Sequence, residues 1–129
     1  MRCFRIILVL AAMILPGVVA LAAQTANFDQ NRFATAQEEG RPILVDIRAS
    51  WCPTCAAQKP IIERLTAAPE YKNLLILQVD FDSQTDVVRD FGARSQSTLI
   101  AFRGTRETAR SVGDTDEKSI AGLLRSMAN

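Results

Sequence analysis

The sequence predicts an α/β domain of three layers, in which helices cover both faces of a central mixed β-sheet. Short apolar runs at residues 43–49 and 74–79 are typical of buried strands, and segments of helical character separate them. The turn Arg103-Gly104 lies between two further predicted strands, and the hairpin that they form makes the sheet mixed. The 129 residues are enough for one such domain.

The first half of the chain predicts two helices around a buried strand. Residues 31–39 predict a short helix, which Gly40-Arg41-Pro42 ends before the strand at residues 43–49. A second helix is expected over residues 52–66. Because Pro60 lies inside this helix and lacks a backbone N–H, we expect a kink there.

The second half predicts a strand, a short helix and a hairpin. Residues 74–79 are almost continuously apolar, which favours a central strand buried on both faces. Residues 86–91 predict a short helix that Gly92 closes. Residues 98–102 and 107–112 then predict the two strands of the hairpin.

The C-terminal segment predicts a helix that packs on the sheet. Asp114 with Glu117 resembles a capping box, so we place the start of the helix there. One apolar face follows at helical spacing, formed by Ile120, Leu123, Leu124 and Met127. The predicted order of elements is therefore α-β-α-β-α-β-β-α.

The N-terminus has the pattern of a secretory signal peptide. Arg2 and Arg5 precede an apolar run over residues 6–23, and Ala20-Leu21-Ala22 supplies the small residues of a cleavage site. We interpret residues 1–22 as the signal, which predicts a periplasmic or secreted protein. The alternative is an N-terminal membrane anchor that is not cleaved, because the run of 18 residues reaches the lower limit for crossing a bilayer.

The composition of the mature domain, residues 23–129, limits the classes of function that it can have. Loss of the signal removes two arginines and leaves 13 basic against 14 acidic residues, so the net charge falls from +1 to about −1. A chain with this balance has no basic patch for nucleic acid. Cys3 leaves with the signal, and Cys52 and Cys55 then remain in an oxidising compartment with no third thiol to mispair.

The pentapeptide Trp51-Cys52-Pro53-Thr54-Cys55 directly follows the first buried strand. Two cysteines three positions apart can close a disulfide within one helical turn. A thiol at a helix N-terminus also faces free N–H groups and the positive end of the helix dipole, which favour the thiolate. Pro53 suits the first helical position. The motif predicts thiol–disulfide exchange that needs neither a cofactor nor a metal.

The residues of the predicted site have roles and alternatives. We expect Cys52 to be the exposed nucleophile and Cys55 the more buried thiol that resolves the mixed disulfide. The alternative is a structural disulfide or half of a zinc site, although zinc wants four ligands and the mature chain has two cysteines and no histidine. Asp46 lies six residues before Cys52, where a carboxyl with a raised pKa accepts the Cys55 proton through water. Its alternative is a strand-end acid that only makes a hydrogen bond.

Taken together, these residues resemble the thioredoxin superfamily over most of the mature chain. The matching pieces are Ile43-Leu44-Val45-Asp46, Trp51-Cys52 with Cys55, Pro60, Val79-Asp80, Phe91-Gly92, Thr98-Leu99-Ile100-Ala101-Phe102 and Val112-Gly113. The resemblance implies the thioredoxin fold. It also implies that the backbone of Gln96, Ser97 and Thr98 contacts the substrate. Trp51 offers the substrate a flat apolar contact beside the dithiol, and we expect Pro53 and Thr54 to contact the substrate as well. A core position for Trp51 and a plain loop at residues 96–98 are the alternatives.

Two positions depart from the family pattern. Gln78 stands where many members carry a lysine near the buried acid, and Ser97 is the second departure. The family's cis-proline faces the dithiol immediately before the strand at residues 98–102, and Ser97 stands at that position here. A cis bond before serine costs about 2.5–4 kcal/mol, against about 0.5–1 before proline. We therefore expect a trans Gln96–Ser97 bond, or a strained cis bond held by its surroundings. The serine hydroxyl can hydrogen-bond a thiolate, or its small size leaves room for a metal ion.

Two functions remain open at this point. The first is an exported thiol–disulfide oxidoreductase that reduces protein disulfides as a monomer and is recharged by a membrane or periplasmic dithiol donor. Reduction is favoured because no histidine or nearby basic residue strongly stabilises the thiolate. The second is a metal-binding or delivery protein that holds copper(I) between the thiolates of Cys52 and Cys55, with Ser97 opening the site.

Overall fold

The computed structural model describes residues 22–128 together with Gly17. In this part of the chain, five strands and four α-helices follow one another in the order β-α-β-α-β-α-β-β-α. The strands are β1 (Gln24–Asn27), β2 (Pro42–Arg48), β3 (Leu75–Asp80), β4 (Thr98–Arg103) and β5 (Arg106–Val112). The helices are α1 (Gln30–Glu38), α2 (Pro53–Thr66), α3 (Thr85–Asp90) and α4 (Glu117–Arg125). Short 3₁₀ turns at Pro69–Tyr71 and Ser126–Ala128 follow α2 and α4.

The strands form one mixed sheet in the order β1-β3-β2-β4-β5. Strands β1, β3 and β2 are parallel, whereas β4 is antiparallel to both β2 and β5. Because β2 is the middle strand, the dithiol that follows it lies at the carboxyl end of the central strand, where open α/β sheets hold their sites. Thr98 pairs with Ile47, and this register brings the start of β4 beside the end of β2.

Helices cover both faces of the sheet, which confirms the predicted three-layer α/β fold. Val45 and Phe33 belong to the apolar cluster between the sheet, α1 and α3. Leu44 and Ile62 belong to the cluster between the sheet, α2 and α4. Successive residues of a strand point to opposite faces, so the side chains of β2 alternate between the two clusters. Asp46, two residues after Leu44, therefore lies on the face beneath α2 and α4.

The observed elements differ from the expected ones in two places. Strand β1 was not expected, because its four residues are polar or small and mostly exposed; it forms by pairing with β3 at the edge of the sheet. The cap of α4 is Asp116 and not Asp114, since the Asp116 carboxylate accepts the N–H of Ser119 at 2.8 Å. Asp114 instead accepts the N–H of Asp116 at 3.0 Å, one step before the helix. Helix α2 continues through Pro60 to its end at Thr66.

The predicted signal peptide, residues 1–22, lies outside the described residues apart from Gly17 and Ala22. Within the described residues, none of the helices has both the length and the apolar character that crossing a membrane requires. The signal peptide and the alternative membrane anchor both remain predictions.

Candidate active site

A disulfide joins Cys52 and Cys55 at the start of α2, with 5.3 Å between their Cα atoms. Cys52 is the N-cap residue of the helix, and its Sγ accepts a hydrogen bond from the backbone N–H of Cys55 at 3.1 Å. Pro53 occupies the first turn, where its missing N–H leaves no hydrogen bond unmade. The Cys52 sulfur therefore caps the helix and faces its positive end, which stabilises a thiolate when the disulfide opens.

Both cysteines of the disulfide are buried, each with 4% of its surface exposed. The expectation of an exposed Cys52 beside a more buried Cys55 is therefore wrong for the disulfide form. The cause is a local turn, in which the N–H of Cys52 donates to the carbonyl of Ala49 at 3.2 Å. Ala49 packs against the two cysteines, and Phe81 lies beside them. A partner disulfide must dock closely to reach the Cys52 sulfur.

Asp46 is a buried acid on the face of β2 beneath α2, with 7% of its surface exposed. Burial raises the pKa of its carboxyl from 3.8 to about 6, and the positive charge of Arg48 offsets part of this rise. Its side chain makes no hydrogen bond with the other described residues. A carboxyl that titrates near neutral pH and has no fixed partner is suited to accept and release a proton.

Trp51 precedes Cys52 and presents its indole ring at the surface, 57% exposed. The indole Nε1–H donates to the Oδ2 atom of Asp82 at 2.7 Å, and this bond orients the ring. Such exposure excludes the alternative in which the aromatic side chain belongs to the core. Pro53 is exposed as well and Thr54 is half-buried, so all three residues are open to a partner.

The Gln96–Ser97 bond is trans, as the sequence led us to expect, because the described residues contain no cis peptide bond. Ser97 has a φ of +57°, in the left-handed region that costs a non-glycine residue about 1–2 kcal/mol. The Ser97 hydroxyl donates to the carbonyl of Gln96 at 2.6 Å and is therefore engaged within its own loop. A proline could not adopt this backbone, because its ring holds φ at about −65°.

Two hydrogen bonds hold the carbonyl oxygen of Ser97. It accepts the backbone N–H of Gly113 at 2.9 Å and the side-chain amide of Gln58 at 3.3 Å. Since Thr98 pairs with Ile47, the segment before β4 lies at the same end of the sheet as the dithiol. The structure thus brings residues 96–98 to the site end of the sheet, together with Cys52, Cys55 and Asp46.

Gln58 is a residue of this region that the sequence-based prediction missed. It follows Cys55 by one helical turn and is 1% exposed, although glutamine is seldom fully buried. Cys55, Gln58 and Ile62 share the buried stripe of α2 at spacings of three and four residues. An amide on such a stripe is the signal that was available, because a buried polar side chain indicates a hydrogen-bonding partner.

Two further observations describe the surroundings of the site. The described residues contain no group of three or more histidine, cysteine, aspartate or glutamate side chains placed to hold one metal ion. A cleft of about 490 Å³ lies at the carboxyl ends of β1, β2 and β3, and Arg48, Ser50 and Gln78 are among its lining residues. Gln78 is the neighbour of Asp46 in the β2–β3 register, so the cleft gives solvent a polar approach toward the buried acid.

Comparison with known proteins agrees with this geometry. The family model described as Thioredoxin matches residues 19–126. The chain is similar to the thioredoxin of Chlamydia muridarum (strain MoPn / Nigg), with 37% identity over 95 residues, which are 74% of this chain and 90% of that protein. It is also similar to the crystal structure of Trxlp from Edwardsiella tarda EIB202, with a TM-score of 0.76 and 35% identity over 78% of this chain and 98% of that one.

A more distant structure shares the fold alone. Thioredoxin O2 from Arabidopsis thaliana, in its oxidised state, has a TM-score of 0.70 at 18% identity, over 86% of this chain and 98% of that one. The family match, by contrast, spans most of the chain and includes the cysteine pair. With that pair closed into a disulfide at the start of α2, the chain belongs to the thioredoxin family and is a thiol–disulfide oxidoreductase.

Proposed function

We propose that the protein is an exported reductase of protein disulfides, in which Cys52 is the nucleophile and Cys55 the resolving thiol. The observation that carries the proposal is the position of the Cys52 sulfur, which caps α2 and accepts the N–H of Cys55 at 3.1 Å. Because this sulfur receives the stabilisation of the helix end, the Cys52 thiol ionises before the Cys55 thiol and attacks first.

In the first step, the Cys52 thiolate attacks one sulfur of a substrate disulfide. A bond forms between Cys52 Sγ and that sulfur, the substrate S–S bond breaks, and the other substrate sulfur leaves as a thiolate. The product is a mixed disulfide between the two proteins. Trp51 and the backbone of residues 96–98 hold the partner while this bond forms.

In the second step, Cys55 gives its proton to Asp46 through a water molecule and attacks Cys52 Sγ. The Cys52–Cys55 disulfide closes, the remaining substrate sulfur leaves as a thiolate, and two electrons have passed to the substrate. The raised pKa of Asp46, about 6, supports this role, because a carboxylate with that pKa is a usable base near neutral pH.

The surroundings of the dithiol support reduction as the direction of electron flow. Strongly oxidising sites hold a thiolate so stable that its pKa falls to about 3.5, against about 7 in thioredoxin. This chain has no histidine, and no lysine or arginine among the described residues forms a hydrogen bond or ion pair with Cys52 or Cys55. The helix end is then the main source of thiolate stabilisation, which favours the higher pKa.

Export and a source of electrons complete the proposal. Arg2, Arg5 and the apolar run after them support a signal peptide that ends at residue 22. A reductase in an oxidising compartment loses two electrons in each turnover, so a membrane or periplasmic dithiol protein must recharge it. We infer that the protein works as a monomer. The mass of protein recovered from the periplasm tests whether residues 1–22 are removed.

Trapping of the mixed disulfide tests the roles of the two cysteines. The Cys55→Ser variant should accumulate a covalent complex with insulin, visible as one adduct by mass spectrometry, because the resolving thiol is absent. The Cys52→Ser variant should form no such adduct, and its helix should persist because serine also caps helices. Equal trapping by both variants, or trapping by Cys52→Ser alone, would refute the assignment.

A further inference from the structure

We propose that Gln58 is a positioning residue for substrate docking, and that its side-chain amide fixes the Ser97 loop, defined here as residues 94–97. The inference rests on the proposed function, because it assumes that a protein disulfide lies along this loop during reduction. In the family that the sequence resembles, a cis-proline faces the dithiol at the position of Ser97, and this chain lacks that proline. In this chain the side-chain amide of Gln58 restrains the loop at that position instead.

The amide nitrogen of Gln58 contacts two backbone carbonyl oxygens. Nε2 donates to the carbonyl of Ser97 at 3.3 Å and to that of Asp114 at 2.9 Å. These acceptors use both amide hydrogens, and they also fix which end of the amide is nitrogen, since a flipped amide would set its oxygen against two carbonyl oxygens. Gln58 therefore joins three segments, which are helix α2, the Ser97 loop and the turn between β5 and α4.

The Ser97 loop requires such a restraint because of its backbone. Ser97 has a φ of +57°, and a non-glycine residue stays in this region only where its surroundings hold it there. Relaxation to negative φ would turn the Ser97 carbonyl away from both of its donors. One donor is the N–H of Gly113, at 2.9 Å, and the other is Gln58. The side chain that follows the resolving Cys55 by one turn thus helps to set the loop that meets the substrate.

The oxygen atom of the Gln58 amide argues against a role that only stabilises the fold. Gln58 Oε1 is buried and accepts no hydrogen bond from the described residues. A buried acceptor without a partner costs free energy, and an apolar side chain of the same shape would avoid that cost. The two bonds that Nε2 donates are what an apolar replacement would lose, and both end on segments that flank the site.

The Gln58→Met variant of the full chain tests the inference, because methionine keeps the length of the side chain and donates no hydrogen bond. We expect the KM for insulin to rise about five- to tenfold, because only one of the two lost hydrogen bonds, that to the Ser97 carbonyl, acts on the loop. The kcat for insulin, and the rate with the small disulfide 5,5′-dithiobis(2-nitrobenzoate), should stay within about twofold, since a small disulfide makes no contact along the loop.

Thr66→Val is the matched control. Thr66 lies on the same helix, is 5% exposed and donates its hydroxyl hydrogen to the carbonyl of Ile62, within α2. Its replacement removes a buried polar group without touching the Ser97 loop, so the KM for insulin should not change. A similar rise of KM in Thr66→Val and Gln58→Met would refute the positioning role.

Hydrogen exchange gives a second readout that does not depend on turnover. The N–H of Gly113, bound to the Ser97 carbonyl, should exchange faster in Gln58→Met, while the amides of β3 keep their protection. Gln58→Leu replaces the methionine variant if that chain does not fold, because leucine is apolar, suits the buried stripe of α2 and donates no hydrogen bond. If the wild type reduces insulin, and the variant keeps the same KM and the same Gly113 exchange rate, this inference is refuted. If the wild type does not reduce insulin, the proposed function is refuted.

Discussion

Arg48 lies two residues after Asp46 on β2, so that its positive charge acts on a buried carboxyl of the same strand face. Burial raises the pKa of Asp46 to about 6, and the charge of Arg48 keeps it from rising further. The pH at which the proposed base becomes active therefore depends on a residue at the rim of the neighbouring cleft.

Arg48→Met should raise the pKa of Asp46 further, because the variant keeps the burial and removes the opposing charge. Arg48→Lys is the control and should leave the titration close to that of the wild type. The carboxyl carbon of Asp46, followed by NMR against pH, reports the pKa directly. A fall of the pKa in Arg48→Met would contradict the electrostatic account.

Asp46 should make the free energy of unfolding depend on pH. The pKa of its carboxyl is 3.8 in the unfolded chain and about 6 in the folded chain. Between these two pH values the folded state therefore holds a proton that the unfolded state has lost. The contribution of Asp46 to stability is thus most favourable below about pH 4, falls as the pH rises to about 6, and stays low above it.

The Asp46→Asn variant removes this dependence. At about pH 8 it should be more stable than the wild type by about 3 kcal/mol, which is the shift of roughly two pKa units, and near pH 3.5 the difference should vanish. Urea unfolding at both pH values gives the comparison. Asp90→Asn, at an exposed acid, is the control and should show no such change. A constant difference at the two pH values would disprove the role of ionisation.

Asp46→Asn should also slow the second step of the reaction selectively. Loss of a general base typically costs about 10²-fold in rate, and the first step needs no proton from Cys55. The mixed disulfide should therefore form at the normal rate and persist, as acid quenching and mass spectrometry would record. In the wild type, its decay should accelerate as the pH rises through about 6. Equal slowing of both steps would point to a general loss of structure.

The left-handed backbone at Ser97 should give glycine an advantage over alanine. Neither residue has the hydroxyl, so the comparison isolates the backbone, and Ser97→Gly should be more stable than Ser97→Ala by about 1 kcal/mol. Glu63, an exposed position inside α2, offers the opposite control, where glycine should be less stable than alanine by about 1 kcal/mol. Thermal unfolding of the four variants decides the matter. Alanine matching glycine at position 97 would show that the backbone is unstrained.

The reduction potential of the Cys52–Cys55 pair tests the direction of electron flow. Equilibration with glutathione and thioredoxin redox buffers, followed by mass tagging of free thiols, should give a value between about −270 and −200 mV. A value near −120 mV, roughly that of a strongly oxidising protein, would assign the chain to disulfide formation instead. Failure to exchange at all would leave the pair with a structural role.

The sequence predicted the inner strands and the helices well, and it failed where tertiary contacts decide the outcome. The apolar runs of β2 and β3 are dense enough to predict buried strands, whereas β1 is polar and exists because the edge of β3 offers hydrogen bonds. Burial of Cys52 depends on a turn that brings Ala49 against it, and this cannot be read from the spacing of the cysteines. The position of Ser97 was evident from the resemblance, but its positive φ depends on donors from distant segments.

The first turn of α2 and the proposed chemistry depend on one sulfur atom, that of Cys52. Serine ranks with the best N-cap residues, so replacing this cysteine by serine would exchange one cap for another. A descendant of this chain with that substitution would keep its shape and its contact surface and lose only electron transfer. A single atom thus separates a redox enzyme from a protein that only binds the same partners. The change from one to the other is therefore a short evolutionary step.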